Sequence, residues 1–236
     1  MPGSELVVSE LFGPTFQGEG PAVGRRCSFL RLGGCNLHCS WCDTPYTWDW
    51  SGRNGTSYDP ATELTRMSAN SVWDDLTLRG ADMLVITGGE PMLQQDSLLP
   101  VLSRAREARW WVEVETAGTI APTAAVASLV DRFNVSPKLA NSGNPLSVRA
   151  NRLSLGALRD TGKAIWKFVV EKDADLDEVD GLVADLGLRN VYIMPEGITP
   201  EVIGLRTAEL AEAVLGRGWN MTTRLQVLAY GNRRGV

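Results

Sequence analysis

The stretch Gly33-Gly34-Cys35-Asn36-Leu37-His38-Cys39-Ser40-Trp41-Cys42-Asp43-Thr44 contains three of the four cysteines of the chain, in the spacing C-x3-C-x2-C. Three thiolates on one short loop suit an iron–sulfur cluster, because cysteine sulfur is the usual ligand of such clusters. Electron-transfer clusters and structural zinc sites are normally completed by four protein ligands. Three cysteines therefore leave one iron open to a ligand that is not cysteine, and we expect chemistry at that position.

Two other interpretations of the cysteines stay open at this level. A zinc site would need a fourth ligand, either His38 or Cys27. A redox-active C-x2-C dithiol would leave the third cysteine without a role. The residues around Cys27 alternate so that Cys27, Phe29 and Arg31 share one face of a strand. An isolated cysteine at such a place is usually a small buried apolar residue, and His38 is more typical of a packed or solvent-facing loop residue than of a ligand.

Composition sets the class of protein. The chain of 236 residues is 44% hydrophobic and 22% charged, which is typical of a globular protein with a full core, so we expect one domain over residues 1–236. It has no apolar run of about 18 residues, and residues 1–5 lack the features of a secretion signal, so neither a membrane span nor secretion is expected. The net charge of −5 argues against nucleic acid as the main partner. Clustered cysteines without a disulfide framework favour the reducing cytoplasm.

Strand and helix patterns alternate along most of the chain. Strands are predicted over residues 7–12, 26–32, 83–87, 111–116, 133–135, 164–170, 190–194 and 224–230. Helices are predicted over residues 59–70, 94–108, 123–130, 148–160, 174–186 and 200–215. Such alternation indicates right-handed βαβ units and an α/β fold with a parallel sheet, either open and doubly wound or a partial barrel.

Unusual residues follow the carboxyl ends of the predicted strands. They are Cys35, the run Gly88-Gly89-Glu90, Glu115-Thr116, Ser136-Pro137-Lys138 and Pro195-Glu196. Ligand sites of parallel α/β folds are built at this edge of the sheet. We therefore expect these residues to converge on one cavity.

The cysteine loop resembles the signature of the radical S-adenosylmethionine (SAM) enzymes. Three further motifs, Phe16-Gln17-Gly18-Glu19-Gly20, Cys42-Asp43-Thr44 and Thr87-Gly88-Gly89-Glu90-Pro91, make the chain similar to the 7-carboxy-7-deazaguanine synthase family from about residue 10 to residue 236. The resemblance implies a partial TIM-like barrel of about six parallel strands. It also implies a 4Fe-4S cluster whose fourth iron is chelated by SAM, and a lyase of queuosine-type biosynthesis. That lyase converts 6-carboxy-5,6,7,8-tetrahydropterin to 7-carboxy-7-deazaguanine and releases ammonia.

The resemblance also implies which residues hold the cofactors. Cys35, Cys39 and Cys42 would bind the cluster, and Thr44 would bind Mg2+, although by itself it is equally typical of a turn. The residues implied for SAM are Trp41, Cys42, Asp43, Gly88, Gly89, Glu90, Ser136, Pro137 and Lys138. Glu90 has an alternative role as a carboxylate at a helix N-terminus.

The substrate residues implied by the resemblance are Phe16, Gln17, Gly18, Arg31, Thr87 and Val236. The guanidinium fork of Arg31 suits a carboxylate, although a surface arginine on an edge strand would look the same. The terminal carboxylate of Val236 would accept the paired N–H donors of a pterin, and the alternative is a frayed tail. Gln226 departs from the family pattern, since many relatives have His there. No side chain is assigned as a catalytic acid or base.

A flavodoxin- or ferredoxin-type reductant and a homodimer are also implied by the resemblance. Two rival functions stay open. The first is a radical SAM activase of a glycyl-radical partner, which shares the cysteine spacing but does not explain Gln17 or Thr44. The second is a non-catalytic zinc or iron–sulfur module that binds another protein.

Overall fold

A mixed sheet of nine strands organises the computed structural model, which describes residues 5–236. Its spatial order is β3-β1-β2-β4-β5-β6-β7-β8-β9, and it stays open between β3 and β9. All neighbouring strands from β2 to β9 are parallel, whereas β1 is antiparallel to both β2 and β3. The strands are β1 Leu6–Phe16, β2 Arg26–Leu32, β3 Thr65–Met67, β4 Met83–Gly88, β5 Trp111–Thr116, β6 Arg132–Val135, β7 Ala164–Val170, β8 Val191–Pro195 and β9 Asn220–Met221. The predicted α/β fold with a partial barrel of parallel strands is confirmed.

Helices connect the parallel strands, and several begin at a side-chain cap. Ser68, Thr123, Asn151 and Thr199 each accept a hydrogen bond from the backbone N–H three residues later, which stabilises the first turn. No helix among residues 5–236 is long and apolar enough to cross a bilayer. The helices are α1 Pro60–Glu63, α2 Ala69–Leu78, α3 Gln95–Glu107, α4 Ala124–Leu129, α5 Leu146–Arg149, α6 Arg152–Asp160, α7 Asp175–Leu186, α8 Pro200–Gly216 and α9 Leu225–Tyr230.

The helix predicted over residues 59–70 was wrong. Asp59 caps only the single turn α1, and Leu64 already has extended backbone angles. The next residues form β3, where Thr65–Met67 pair with Leu6–Val8. The exposed edge of β1 offers unpaired backbone groups, and this long-range pairing outweighs the local helix signal.

Two other segments differ from the prediction. The helix predicted over residues 148–160 is divided, because Ala150 leaves the helical region and Asn151 starts α6. The strand predicted over residues 224–230 was wrong, since Leu225–Tyr230 form helix α9. The sheet ends instead at β9, which pairs with β8 through Asn220 and Met221.

The two faces of the parallel strands differ sharply. The outer face packs against the helices and is apolar, with Leu84, Val112, Phe133 and Trp166 in one continuous core. The inner face consists of the alternate residues of the same strands. It holds a small apolar cluster at the amino-terminal end and polar side chains above it. That cluster is Phe12, Ala22, Cys27, Phe29, Met83 and Val85.

Candidate active site

A cavity opens at the carboxyl ends of the parallel strands, as the sequence predicted. It is lined by residues that are up to 224 positions apart, from Phe12 to Val236. Of the predicted residues, Glu90 and Pro137 do not line it. Those that do are Phe16, Gln17, Gly18, Arg31, Cys35, Cys39, Trp41, Cys42, Asp43, Thr44, Thr87, Gly88, Gly89, Ser136, Lys138 and Val236.

Each cysteine sulfur of the loop has an N–H donor. The backbone N–H of Leu37 is 3.4 Å from Cys35 Sγ, and Trp48 Nε1 is 3.3 Å from Cys42 Sγ. Asn144 Nδ2 is 3.3 Å from Cys39 Sγ. Donors of this kind favour a negatively charged sulfur and are typical surroundings of iron–sulfur ligands. The loop therefore fits a 4Fe-4S cluster.

In the protein without a cluster, burial raises the pKa values of all three thiols of the loop. It raises the pKa of Cys35 to about 12, and it also raises the pKa values of Cys39 and Cys42. Cluster binding must therefore displace protons from these sulfurs. Among residues 5–236, no three His, Cys, Asp or Glu side chains converge on a single metal position.

Neither candidate for a fourth zinc ligand joins the cysteines. Cys27 is fully buried in the small apolar cluster of the inner face, and burial raises its pKa to about 12. His38 stacks edge-on against Trp48 with the ring centroids 5.0 Å apart, and its backbone N–H binds Asn144 Oδ1. Both residues have packing roles, as their patterns favoured.

Gly88 and Gly89 are required by the protein's own backbone. A Cβ at Gly88, whose φ is +139°, would lie 2.2 Å from the carbonyl oxygen of Leu32. A Cβ at Gly89 would lie 2.1 Å from the carbonyl oxygen of Gly34, at the start of the cysteine loop. We expected these glycines to admit a ligand. They also let the end of β4 approach the cysteine loop more closely than any other residue would allow.

Glu90 takes the second of the two roles considered for it. Its carboxylate accepts hydrogen bonds from Met92 N at 3.0 Å, Thr116 Oγ1 at 2.8 Å and Ala117 N at 2.8 Å. It is fully buried, and burial raises its pKa. Glu90 thus caps the turn after β4 and joins it to the end of β5, behind the cavity wall. Thr87, Gly88 and Gly89 of the same motif do line the cavity, and a contact of Glu90 with SAM stays a prediction.

The segment after β6 forms another wall of the cavity. Lys138 Nζ donates to the carbonyl and hydroxyl oxygens of Ser136 at 3.0 and 2.9 Å. The same ammonium lies 5.6 Å from the centroid of the Trp41 ring, within the range of a cation–π contact. Pro137 is buried outside the cavity lining and shapes the turn between Ser136 and Lys138.

The guanidinium group of Arg31 is part of the cavity lining. Its Nε donates to Glu10 Oε2 at 2.8 Å, and within residues 5–236 its two terminal nitrogens form no hydrogen bond. Burial would lower the pKa of Arg31, but Tyr46 and Glu10 raise it above its usual value, so the guanidinium is charged. A charged fork with two available nitrogens suits an incoming carboxylate.

A buried network on the inner face was not predicted. Glu115, which the sequence marked only as a strand end, accepts from Gln17 Nε2 at 3.2 Å and from Thr87 Oγ1 at 2.8 Å. Nearby, Glu19 forms an ion pair with Lys167 and accepts from Gln226 Nε2 at 2.9 Å. One feature of the sequence could have revealed this network. Strands buried on both faces are usually apolar throughout, so charged residues at alternate positions of short apolar strands indicate a polar inner face.

The start of helix α9 forms a further part of the cavity lining, with Arg224 and Gln226. Arg224 binds both Glu19, at 3.4 Å, and Asp43, directly after the last cysteine of the loop. Leu225 N donates to the carbonyl oxygen of Gly18 at 2.9 Å. The start of α9 thus connects the segment after β1 to the cysteine loop.

Two buried acceptors in the lining have no partner in the described part of the chain. They are Asn134 Oδ1 and Gln226 Oε1. A buried polar atom without a partner costs about 1–3 kcal/mol, so these two oxygens are candidates to accept hydrogen bonds from a ligand. Gly18 makes room for the side-chain amide of Gln226, because a Cβ at Gly18 would lie 1.6 Å from Gln226 Oε1.

Comparisons with known proteins agree with this geometry. Residues 16–134 match the family model of the 4Fe-4S single cluster domain. The chain is similar to the 7-carboxy-7-deazaguanine synthase of Pyrobaculum aerophilum, with 36% identity over 97% of this chain and 96% of that protein. It is also similar to the one of Rhodopirellula baltica, with 33% identity over 99% of this chain and 90% of that protein.

A solved structure shows the same fold. The crystal structure of QueE from Escherichia coli matches with a TM-score of 0.70 and 24% identity, over 94% of each chain. The cysteine loop at the open end of the parallel strands and the sequence identity along nearly the whole chain lead to one conclusion. The chain belongs to the 7-carboxy-7-deazaguanine synthase family of radical SAM enzymes.

Proposed function

We propose that this chain converts 6-carboxy-5,6,7,8-tetrahydropterin to 7-carboxy-7-deazaguanine with release of ammonia, as a radical SAM lyase. The observation that carries the proposal is the composition of one cavity. Its first wall has the three cysteines, and its second wall has a charged guanidinium and buried hydrogen-bond acceptors. A small molecule that lies between the walls touches the cluster side and the polar side at once.

The cysteine wall would hold the cluster and SAM. When bound and reduced, this pair supplies a 5′-deoxyadenosyl radical. The backbone of Gly88 and Gly89 lies beside the loop and would meet the amino group of SAM. Ser136 and Lys138 would meet its ribose, and the ring of Trp41 lies beside Lys138. Asp43 is held by Arg224, so the residue after the last cysteine has a fixed position.

The polar wall would hold the pterin. Its carboxylate would lie against the terminal nitrogens of Arg31, and its ring N–H and amino donors would meet Asn134 Oδ1, Gln226 Oε1 and the carboxyl group of Glu115. Burial raises the pKa of Glu115. Phe16 and Phe12 give the same wall an apolar surface for a flat ring. Since most of these groups are buried, the wall excludes water from the reacting atoms.

Thr44 is proposed as a ligand of Mg2+ at the edge of the cavity. Its Oγ1 accepts no capping hydrogen bond from the turn it precedes, and it lies 3.8 Å from Cys42 Sγ. A single hydroxyl is enough for Mg2+ only when water and substrate oxygens complete the octahedron. Thr44→Ala is expected to weaken the Mg2+ dependence of turnover and to leave SAM binding intact. An unchanged Mg2+ titration would leave Thr44 as a turn residue only.

Three further proposals concern the surroundings of the enzyme. We propose a flavodoxin- or ferredoxin-type reductant, because the cluster must receive single electrons. A homodimer and a cytoplasmic location complete the proposal, and light scattering of the purified protein tests the oligomeric state.

The central experiment is anaerobic reconstitution with iron and sulfide, followed by reduction in the presence of SAM. We expect 5′-deoxyadenosine from the wild-type protein, and 7-carboxy-7-deazaguanine with ammonia once the pterin is added. Cys39→Ala is expected to lose the cluster and all SAM cleavage. Cys27→Ala is the matched control, because Cys27 lies outside the cavity, and it should keep both.

Each outcome separates the rival functions. SAM cleavage without pterin turnover would favour an activase of a protein partner. A cluster without SAM cleavage would favour a binding module. Full iron loading of the Cys39→Ala protein would contradict the assignment of the cysteine loop.

A further inference from the structure

We propose that Arg234 is a positioning residue that holds the segment Gly231–Val236 against the cavity, and that it thereby sets the affinity for the substrate. The proposal rests on the proposed function for its kinetic consequence, but its structural part is independent. The segment follows α9, and its last residue, Val236, lines the cavity. Short segments after a final helix are usually mobile unless a side chain ties them down.

Arg234 is tied on three sides. Its Nε donates to Glu10 Oε1 at 2.6 Å, and its terminal nitrogen lies 2.7 Å from Glu63 Oε2. Its guanidinium carbon lies 3.7 Å from the centroid of the Tyr46 ring, a close cation–π stack. These partners come from strand β1, helix α1 and the turn after the cysteine loop. One side chain therefore fixes the tail to three separate parts of the fold.

We call Arg234 and its partners Glu10, Glu63 and Tyr46 the clasp. The carboxylate of Glu10 links this clasp to the cavity. One oxygen binds Arg234, whereas the other accepts from Arg31 Nε at 2.8 Å and from the Tyr46 hydroxyl at 3.0 Å. Burial raises the pKa of Tyr46, so its hydroxyl keeps the proton that it donates. Glu10 thus orients Arg31, which faces the cavity, and anchors the tail with the same group. The tail and the proposed carboxylate site of the substrate are positioned together.

The neighbouring arginine provides a natural control. Arg233 is exposed and, in the described part of the chain, forms no ion pair. It has the same charge and nearly the same sequence position as Arg234. Differences between Arg233→Ala and Arg234→Ala therefore report the clasp and not the net charge of the tail.

The structural test is limited proteolysis of the metal-free protein with chymotrypsin. Cleavage after Tyr230 releases the tail, and neither substitution changes the residues at that bond. We expect Arg234→Ala to be cleaved at least about tenfold faster than wild type, because cleavage follows the population of the open segment. Arg233→Ala should match wild type, and Arg234→Lys should lie between, since it keeps the charge but loses the planar fork.

The kinetic test uses the reconstituted enzyme. Arg234→Ala is expected to raise the KM for the pterin by about tenfold, as expected when the ordering of one segment must be supplied by binding. SAM binding should be unchanged and kcat should stay within about twofold, since the partners of Arg234 (Glu10, Glu63 and Tyr46) are not among the residues proposed for the cluster or SAM. Glu63→Gln should raise the same KM by about threefold, within the range of a partly exposed ion pair. Glu63 does not line the cavity, and its link to the tail is the ion pair with Arg234.

Two results would overturn the proposal. The first is equal cleavage after Tyr230 in Arg234→Ala and Arg233→Ala. The second is faster cleavage of Arg234→Ala without a change in the pterin KM, which would leave the clasp without a role in the site. If the wild-type enzyme does not turn over the pterin at all, the proposed function fails, and the proteolysis result still decides whether Arg234 holds the tail.

Discussion

The outer and inner faces of the parallel sheet are built by the same strands but carry opposite chemistry. In β5, Val112 and Val114 belong to the apolar core beneath the helices, whereas Glu113 and Glu115 point to the inner side. In β7, Trp166 and Lys167 are neighbours in sequence and divide in the same way. One set of alternate residues holds the fold together, and the other set prepares a site. The two tasks can therefore be tested by substitutions one residue apart.

The largest expected effect is on the outer face. Trp166→Ala removes a fully buried indole from the core and is expected to lower the free energy of unfolding by about 3–5 kcal/mol. Because the loss is one of apolar packing, it should be nearly the same at pH 7 and at pH 3. Urea unfolding of the metal-free protein measures it. A loss below about 1 kcal/mol would mean that the outer face does not carry the stability of the sheet.

The neighbouring substitution on the inner face should depend on pH. Burial alone would raise the pKa of Glu19, but Lys167 and Arg224 lower it from the ordinary 4.5 to about 2. Since the pKa is lower in the folded state, Glu19 contributes stability above about pH 4.5, and this contribution is lost as the pH falls towards about 2. Lys167→Met is expected to cost about 3 kcal/mol at pH 7 and progressively less below pH 4.5.

Lys163→Met is the control for this pH series. Among residues 5–236, Lys163 Nζ binds only the backbone carbonyls of Ala127 and Val130, so its loss should not depend on the ionisation of a carboxylate. Parallel pH curves for Lys167→Met and Trp166→Ala would contradict the distinction between the faces.

A smaller effect is expected where the inner face meets the cysteine loop. Gly89→Ala places a methyl group 2.1 Å from the carbonyl oxygen of Gly34, so the loop must shift. We expect a loss of about 1–3 kcal/mol in stability and a lower iron content after reconstitution. Gly156→Ala in helix α6 meets no atom within 4 Å and should raise stability by about 0.5–1 kcal/mol. Full iron loading of Gly89→Ala would show that the approach of β4 does not position the loop.

The smallest effect is expected at the edge of the inner face. Gln226→Ala removes the hydrogen bond to Glu19 and the buried acceptor Oε1, and it should cost about 1 kcal/mol in stability. It should also raise the pterin KM, because a buried group that meets the ring is lost. Leu228→Ala, on the exposed part of the same helix, should change neither. Equal kinetics of the two variants would exclude Gln226 from the substrate wall.

The sequence was sufficient for the parallel strands from β2 to β8 and for the cavity edge. Short apolar runs such as Trp111–Thr116 and Ala164–Val170 predicted the observed strands, because their length and flanking turns leave few alternatives. The residues after each strand end were predicted to converge, since parallel strands bring their carboxyl ends to one edge.

Other features depend on partners that the sequence does not reveal. Thr65–Met67 became a strand only because Leu6–Val8 lies beside it. The run Arg224–Tyr230 has apolar residues that suit either a strand or a helix, and no local signal decides between them. Lys167 was missed because its partner Glu19 is 148 positions away. The sequence did show charged residues at alternate positions of otherwise apolar strands. This pattern indicates a polar inner face and should be given more weight in a sequence analysis.

Long-range contacts of the segment after β9 and of the tail affect how the protein is made. Gly20 N binds Thr222 Oγ1 across 202 positions, and Arg234 binds Glu10 across 224. Contacts of such long sequence separation form late, because the loop between the partners must first be closed. During synthesis the cysteine loop and most of the sheet emerge well before this last wall. We therefore expect newly made chains to pass through a stage in which the cysteines are open to iron–sulfur donors, until residues 222–236 have been made and complete the cavity lining.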